Sequence, residues 1–187
     1  MEEKLLKIFK NIPEDQTFES LIGVPIEEQK ENLRIADTSE KYFNVPPSEW
    51  PEFEIKWDLS TKNMKFALDH FDDKTFQKHY PEGLTIGWIT LDELMKKMAS
   101  HSQRTKDQLW ETSSVGKLAK TILYFVEGNA MTPPLITHKN GFLLVGGGFH
   151  RIGVSLGKDL AEIPILVIPS EKEEINAITS KIRWKDM

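Results

Sequence analysis

Apolar and polar positions in the second half of the chain follow the periods of strands and helices. Residues 84–89, Leu-Thr-Ile-Gly-Trp-Ile, have the alternation of a half-buried strand. Thr90 and Glu93 follow directly with the spacing of a capping box, which predicts the start of a helix. The apolar residues of this helix recur at helical intervals and are Leu91, Leu94, Met95 and Met98.

A second predicted helix has a long apolar face. Its apolar residues have the spacing i, i+3, i+4, i+7 and i+11 and are Val115, Leu118, Ala119, Ile122 and Val126. We expect Ser114 to cap this helix and Gly128 to end it. Leu109 and Trp110 indicate a shorter helix within the mostly polar stretch that precedes Ser114.

A hairpin is predicted after Pro133-Pro134, a pair that stops any helix. Residues 135–137 and 142–145 are apolar runs on either side of His-Lys-Asn-Gly, and an Asn-Gly pair in this position is typical of a tight turn. The sequence therefore predicts two antiparallel strands that are joined at this turn.

Three further elements follow the hairpin. The glycine run 146–148 leads into a short helix that Gly157 ends. Residues 163–168 are almost all apolar, which indicates a buried strand. Ser170 and Glu173 have the spacing that caps a final helix.

The first half of the chain is less regular. A short helix is predicted over residues 4–9, whereas the stretch from Pro13 to Pro51 is rich in turn residues and acids. Thr61 is predicted to cap a helix whose apolar face is Met64, Ala67, Leu68 and Phe71. Because large aromatic side chains are costly to expose, we expect this half to cover the core with Trp50, Phe53, Trp57 and Phe71.

These elements together predict an α/β fold in two parts. Residues 83–187 are expected to form an α/β module with a C-terminal helix, and residues 1–82 an acidic helical extension packed on it. A length of 187 residues and a hydrophobic fraction of 39% are sufficient for one packed core.

Composition excludes several classes of protein. The absence of cysteine excludes a disulfide scaffold, a thiolate zinc site and a catalytic thiol. The apolar runs are far shorter than the roughly 18 residues that a membrane span needs. The start of the chain also lacks the pattern of a signal peptide, so we expect a cytoplasmic protein without a membrane span.

Charge is distributed unevenly along the chain. Residues 1–82 carry 11 basic and 18 acidic residues, whereas residues 83–187 carry 13 and 11, and the net charge is −5. This balance argues against a broad contact surface for duplex DNA, which needs a concentrated basic face. A local phosphate site is compatible with it.

The segment Val145-Gly-Gly-Gly-Phe-His-Arg151 is the sharpest candidate site. Glycines between a strand and a helix allow close approach of a ligand to the backbone, and the amides at the start of a helix favour an anion. His150 and Arg151 add a titratable group and a permanent cation, which suit a phosphate. The alternative is a glycine-rich turn with His150 in the core and Arg151 in solvent. Neither the Walker spacing nor GxGxxG is present.

Carboxylates near this segment are candidates for holding Mg²⁺ and orienting a water. They are Glu127, at the end of the second helix, and Asp92 and Glu93, at the start of the first. The alternative is that Asp92 and Glu93 stabilise the dipole of their helix and that Glu127 is solvated.

Two more clusters have both a functional and a structural interpretation. Asp69, His70, Asp72 and Asp73, with His79, could form a metal site, but they lack a known ligand spacing and also suit an exposed helix end. Aromatic residues interleaved with acids in the first half either cover the core or bind a basic partner protein. They are Tyr42, Phe43, Trp50, Phe53 and Trp57.

The order of elements around the glycine run resembles the ParB/sulfiredoxin superfamily. The resemblance covers residues 83–170 and depends on the segments MTPPLI, GFLLVGGGFHR and KDLAEIPILVI taken together. It implies a ParB/sulfiredoxin-like α/β module in which the residues after one strand hold nucleotide phosphates.

The sulfiredoxin box Gly-Gly-Cys-His-Arg aligns with residues 147–151 of this chain. Phe149 replaces its cysteine, so the resemblance does not extend to the repair of sulfinic acids. The family also places a lysine on the preceding helix, which Lys117 matches, whereas Lys120 replaces the small hydroxyl residue that follows. The resemblance thus implies phosphate binding by Lys117, by Gly146, Gly147 and Gly148, and by His150 and Arg151.

The function implied by the resemblance is nucleotide binding with ATP hydrolysis, which uses Mg²⁺, and metal-dependent DNase activity, with His150, Arg151 and Glu127 as catalytic residues. The Gly-Glu-Arg-Arg box and the long helix-turn-helix segment of the ParB partition proteins are missing, so we do not expect a centromere-binding clamp. The chain is similar to the Osa-like plasmid fertility-inhibition factors, which block DNA transfer through a type IV secretion system. The alternative is a non-catalytic inhibitor that binds a DNA-transfer or replication protein through its acidic aromatic half.

Overall fold

A computed structural model describes Gly23 and residues 25–68, 71–111 and 114–185. This part of the chain forms a mixed α/β fold around a five-stranded sheet, with a small two-stranded parallel sheet beside it. None of the helices in these ranges has the length and apolarity that crossing a membrane requires. The short helix predicted over residues 4–9 lies outside the described residues.

The strands are β1 (Lys56–Trp57), β2 (Thr85–Thr90), β3 (Ala130–Met131), β4 (Leu135–Lys139), β5 (Phe142–Gly147), β6 (Glu162–Val167) and β7 (Arg183–Trp184). The five-stranded sheet has the order β5-β4-β6-β2-β7, and β1 pairs with β3. Strands β4 and β6 are parallel, whereas the other neighbours in this sheet are antiparallel.

The α-helices are α1 (Ile26–Ser39), α2 (Asp73–His79), α3 (Leu91–Lys97), α4 (Val115–Val126), α5 (Phe149–Gly157) and α6 (Lys172–Ile178). Short 3₁₀ helices lie between them at Glu40–Tyr42, Pro47–Glu49, Thr61–Ala67, Ser100–Ser102, Lys106–Gln108 and Pro169–Glu171.

The predicted hairpin and the central helices are confirmed. Asn140 and Gly141 have φ values of 53° and 79°, and these left-handed conformations are what the two central residues of a type I′ turn require. Thr90 caps α3, because its hydroxyl accepts a hydrogen bond from the Glu93 amide at 3.3 Å. Helix α4 ends where predicted, with Gly128 at a φ of 78°.

Local predictions had mixed outcomes. Ser114 occupies the N-cap position of α4 as predicted, although its side chain makes no capping hydrogen bond. The prediction for α6 was wrong, because this helix begins at Lys172 without the cap that Ser170 was predicted to supply. The helix predicted after Thr61 is present as a 3₁₀ helix, but Thr61 is its first residue and Ser60 occupies the N-cap position. The chain also continues into β7, which pairs with β2 and was not predicted.

Helix α1 is a further element that the apolar pattern missed. Most of its residues are exposed, so it has no long apolar stripe to reveal it. Charged pairs support it instead: Lys30 contacts Glu27 at 3.2 Å, and Arg34 contacts Glu31 at 2.7 Å. Arg34 also reaches Glu127, at the end of α4, at 2.6 Å.

Both faces of the five-stranded sheet are buried. Successive residues of β6 lie on opposite faces of the sheet. Ile165 and Val167 pack with α3, α5 and α6 on one face, whereas Leu166 packs with Met64 and Phe76 on the other. A third cluster lies between α4 and α5 and contains Trp50, which is 5% exposed. Buried residues from the first half thus belong to two of the three clusters, and Trp57 packs against the other. The proposed boundary at residue 82 stays a prediction.

Glu93 attaches the C-terminal segment to the start of α3. Its carboxylate is buried and accepts hydrogen bonds from the Thr179 hydroxyl at 2.7 Å and the Lys181 ammonium at 3.0 Å. These two donors, the hydroxyl first, hold the pKa of Glu93 below its usual range despite burial. Glu93 is therefore a structural residue that is needed in its ionised form.

Glu93→Gln is expected to lower the free energy of unfolding at pH 7 by about 2 kcal/mol, because a charge-assisted bond to Lys181 is lost in a buried position. A lowered pKa in the folded state stabilises the protein above the unfolded value of 4.5 and ceases to do so as the pH falls through the folded value. Urea unfolding at pH 7 and pH 3.5 should show the difference from wild type shrinking at the lower pH. Asp92→Asn, an exposed neighbour, is the control, and an equal effect of the two variants would contradict this role.

Candidate functional site

The glycine run lies where β5 gives way to α5. Gly148 occupies the N-cap position with a φ of 90°, a conformation that favours glycine, and no side chain caps the helix. A Cβ on Gly147 would lie 2.0 Å from the carbonyl oxygen of Ala67, and one on Gly148 would lie 2.9 Å from Cα of Pro134. These two glycines therefore allow close approach of two other backbone segments, a constraint that the sequence did not reveal.

An open cleft of about 380 Å³ lies against this strand-to-helix junction. It is lined by the residues that the sequence predicted as phosphate ligands: Lys117, Gly146, Gly147, Gly148, His150 and Arg151. We call it the glycine cleft. The structure thus brings together groups from α4 and from the β5–α5 junction that are separated by about 30 positions in the sequence.

Helix α4 contributes more to the glycine cleft than the sequence indicated. Lys120 and Thr121 also line it, and they follow Lys117 by three and four residues, so all three lie on one face of the helix. The Thr121 hydroxyl donates to the Lys117 carbonyl at 2.8 Å. Helical periodicity applied to Lys117 would have found both residues.

Arg151 is buried, with 8% of its surface exposed, which excludes the solvated interpretation. Its Nη1 donates to the carbonyls of Thr132 and Pro133, and its Nη2 donates to the carbonyl of Phe66 at 3.1 Å. The guanidinium therefore joins three segments: the start of α5, the Pro133-Pro134 segment and the end of the 3₁₀ helix Thr61–Ala67. We call this arrangement the Arg151 clamp.

His150 is half-buried and lines two separate cavities. It lines the glycine cleft and also a smaller, mostly apolar cavity bounded by residues such as Leu109 and Leu118. The neighbouring Phe149 ring meets it edge-on, with ring centroids 6.3 Å apart, and stacks against the Arg104 guanidinium at 5.5 Å. His150 is thus held by packing at the wall of the cleft.

The charged side chains among the described residues that line the glycine cleft are all cations. Lys117, Lys120 and Arg151 line it, and its lining among the described residues contains no carboxylate. A cluster of cations next to an uncapped helix start favours an anion. Mg²⁺ prefers oxygen ligands and carboxylates above all, so these residues do not fit a protein-held Mg²⁺ ion.

The predicted catalytic carboxylates lie elsewhere. Glu127 follows the last turn of α4, about ten residues or 15 Å along the helix from Lys117, and it pairs with Arg34 at 2.6 Å. Asp92 is exposed in the first turn of α3, and Glu93 is buried against Thr179 and Lys181. The structure does not place any of the three in the lining of the glycine cleft.

The described acidic residues near α2 stabilise this helix and its contact with the preceding segment. Asp72 caps α2 by accepting from the Thr75 amide at 2.7 Å, and Asp73 pairs with Lys65 at 2.7 Å. His79 Nδ1 lies 2.9 Å from the Thr75 carbonyl oxygen. Within the ranges that the structure covers, no group of three or more acidic or histidine residues is placed to hold a metal ion. Asp69 and His70 lie outside the described residues.

The aromatic residues of the first half are mostly part of the core. Tyr42 and Trp50 are 6% and 5% exposed, and Phe53 and Trp57 pack against Phe125 with ring centroids about 6 Å apart. Phe43 alone of the five predicted residues is more than a third exposed. Covering the core is therefore the use that the structure shows for four of them.

A second cleft of about 330 Å³ adjoins the glycine cleft, and Met131 and Arg151 line both. We call it the aromatic cleft, because the exposed rings of Phe66 and Tyr124 line it together with Asp58 and Asn63. Sequence patterns do not indicate this cleft, since its residues come from four separate segments with no shared spacing.

Comparisons with protein-family models, curated proteins and solved structures found no match to this chain.

Arg151→Lys is expected to lower the free energy of unfolding by about 2–4 kcal/mol, because a lysine cannot supply the planar set of donors that reaches three carbonyls. Arg183→Lys is the matched control: Arg183 pairs with Glu162 on the surface, and its replacement should cost less than about 1 kcal/mol. Urea unfolding of the two variants tests the clamp, and equal stabilities would show that it is dispensable.

Proposed function

We propose that this protein binds a nucleotide and that the glycine cleft holds the phosphates. The observation that carries the proposal is the convergence of Lys117, Lys120 and Arg151 on a cleft next to the uncapped start of α5. The lysines neutralise phosphate charge, and the first amides of α5 donate to phosphate oxygens. Arg151 attracts the phosphates through its positive charge, while its donors stay bound to the three backbone carbonyls.

The size and charge of the cleft support a phosphate ligand. A volume of about 380 Å³ lies in the usual range for small-molecule sites. The chain as a whole has a net charge of −5, so this cationic lining is a local feature and not part of a basic surface. A small polyanion fits such a site better than duplex DNA does.

Further parts of the proposal come from the resemblance to the ParB/sulfiredoxin superfamily. They are hydrolysis of ATP, DNase activity that needs a metal ion, and a cytoplasmic role in plasmid fertility inhibition through a DNA-transfer protein of a type IV secretion system. Mg²⁺ would enter as the partner of ATP, because the cleft residues do not fit a protein-held ion. His150 supplies the imidazole in the cleft lining and is the candidate group for proton transfer.

A non-catalytic adaptor is the second candidate, and α1 provides the observation that favours it. Ile26 and Leu33 are 66% and 56% exposed, and their spacing of seven residues places them on one face of the helix. The acids Glu27, Glu28 and Glu31 lie around them. Such a surface suits a partner with apolar and basic groups.

The double variant Lys117→Glu, Lys120→Glu should lose at least tenfold in affinity for ATP with Mg²⁺, because two favourable charges become repulsive. Both lysines are exposed on α4, so the fold should tolerate the change. Isothermal titration calorimetry measures the affinity, and Lys74→Glu, Lys139→Glu, which changes two exposed lysines outside the cleft lining, is the control. Failure of the wild type to bind millimolar ATP would overturn the proposal and favour the adaptor.

His150→Gln is expected to reduce phosphate release from ATP at least tenfold while ATP affinity changes little, because a proton-transfer group is removed and Lys117, Lys120 and Arg151 are kept. Phosphate release and the cleavage of linear DNA are measured with Mg²⁺ and with EDTA, and circular dichroism checks the fold. Equal activity of wild type and variant would contradict a role of His150 in hydrolysis.

A further inference from the structure

The aromatic cleft and the glycine cleft lie next to each other. Met131 and Arg151 line both, so these two residues lie at the boundary between the clefts. The two spaces have about 330 and 380 Å³. A ligand with two chemically different halves could therefore occupy both at once.

The two rings in the aromatic cleft, Phe66 and Tyr124, are exposed and are not part of the buried core. Phe66 is 57% exposed and Tyr124 is 38% exposed, and they are two of only six large apolar side chains in the described residues that are exposed. They come from different elements, the 3₁₀ helix Thr61–Ala67 and α4. Exposed rings beside polar groups in a cleft are well suited to stack on a nucleobase, since every base has a π-face.

Asp58 supplies a hydrogen-bond acceptor in the same cleft. Its Oδ1 accepts from the Ser60 amide at 2.9 Å and from the Ser60 hydroxyl, and its Oδ2 accepts from the Asn63 amide group. These bonds fix the carboxylate and keep its pKa below the usual range, so it is ionised at neutral pH. An ionised carboxylate has about four acceptor positions, and three are used by these bonds. The fourth can accept from a hydroxyl of a ligand.

We propose that the aromatic cleft binds the nucleoside half of the nucleotide: the base stacks on Phe66, the more exposed of the two rings, and Asp58 accepts a hydrogen bond from a ribose hydroxyl. This inference rests on the proposed function, because it takes the phosphates to lie in the glycine cleft. The polar and aromatic lining distinguishes the aromatic cleft from the glycine cleft, whose lysines and glycines suit phosphates alone. The ligand is then a ribonucleotide, not inorganic polyphosphate.

The test compares ATP with inorganic tripolyphosphate by calorimetry on the full chain. The wild type should bind ATP at least tenfold more tightly. Phe66→Ala should weaken ATP binding by about fivefold to 100-fold and leave tripolyphosphate within twofold of wild type, because only a base stacks. Phe142→Ala is the matched control, since Phe142 is 49% exposed and lies at the opposite end of β5 from the glycine run.

The ribose contact has a test of its own. The wild type should bind ATP more tightly than 2′,3′-dideoxy-ATP, and Asp58→Asn should reduce that preference, because a neutral amide is a weaker acceptor. Equal affinities of the wild type for ATP and dideoxy-ATP would overturn the ribose contact.

The remaining outcomes separate this inference from the proposed function. If the wild type binds ATP and tripolyphosphate equally, or if Phe66→Ala weakens both, the nucleoside assignment is overturned while the phosphate site stands. If the wild type binds neither ligand, the proposed function is overturned and this inference with it.

Discussion

The buried guanidinium of Arg151 organises the part of this molecule that contains both clefts. Through three backbone carbonyls it joins the start of α5 to the Pro133-Pro134 segment and to the end of the 3₁₀ helix Thr61–Ala67. A permanent cation in a buried position has to be surrounded by acceptors, and carbonyl oxygens serve here. The same contact holds residues of the first half against the β5–α5 junction, so the walls of both clefts depend on it.

This arrangement changes the interpretation of the glycine run. Positions 147 and 148 have no room for a Cβ, because Ala67 and Pro134 approach them closely. The same packing places Arg151 next to its carbonyl partners. The cationic cleft is a consequence of this packing: α4 supplies Lys117 and Lys120, and the junction supplies the start of α5. A structural role and a phosphate-binding role for Arg151 are compatible, since its charge acts over the cleft while its donors hold the backbone.

Local patterns predicted the second half of the chain well. The Asn140-Gly141 turn, the Thr90 cap and the apolar face of α4 each depend on residues within a few positions of one another, and the structure confirms them. Helix α1 and strand β7 were missed for a physical reason. The first depends on charged pairs and on Arg34 reaching Glu127, and the second has only two residues that pair with β2. Neither leaves a periodic apolar signal in the sequence.

The sequence by itself determined which groups are present at the junction of β5 and α5, and it placed Lys117 on a neighbouring helix. Both results depend on glycine conformation and helical spacing, which are local properties. Tertiary structure alone decided that Arg151 is buried and that Phe66 reaches it across 85 positions. It also decided that β1 pairs with β3, at Lys56 and Ala130, which are far apart in the sequence, and Ala130 lines the aromatic cleft. Such contacts depend on which backbone segments pack against each other, and the short-range periodicity of a sequence carries little information about that choice.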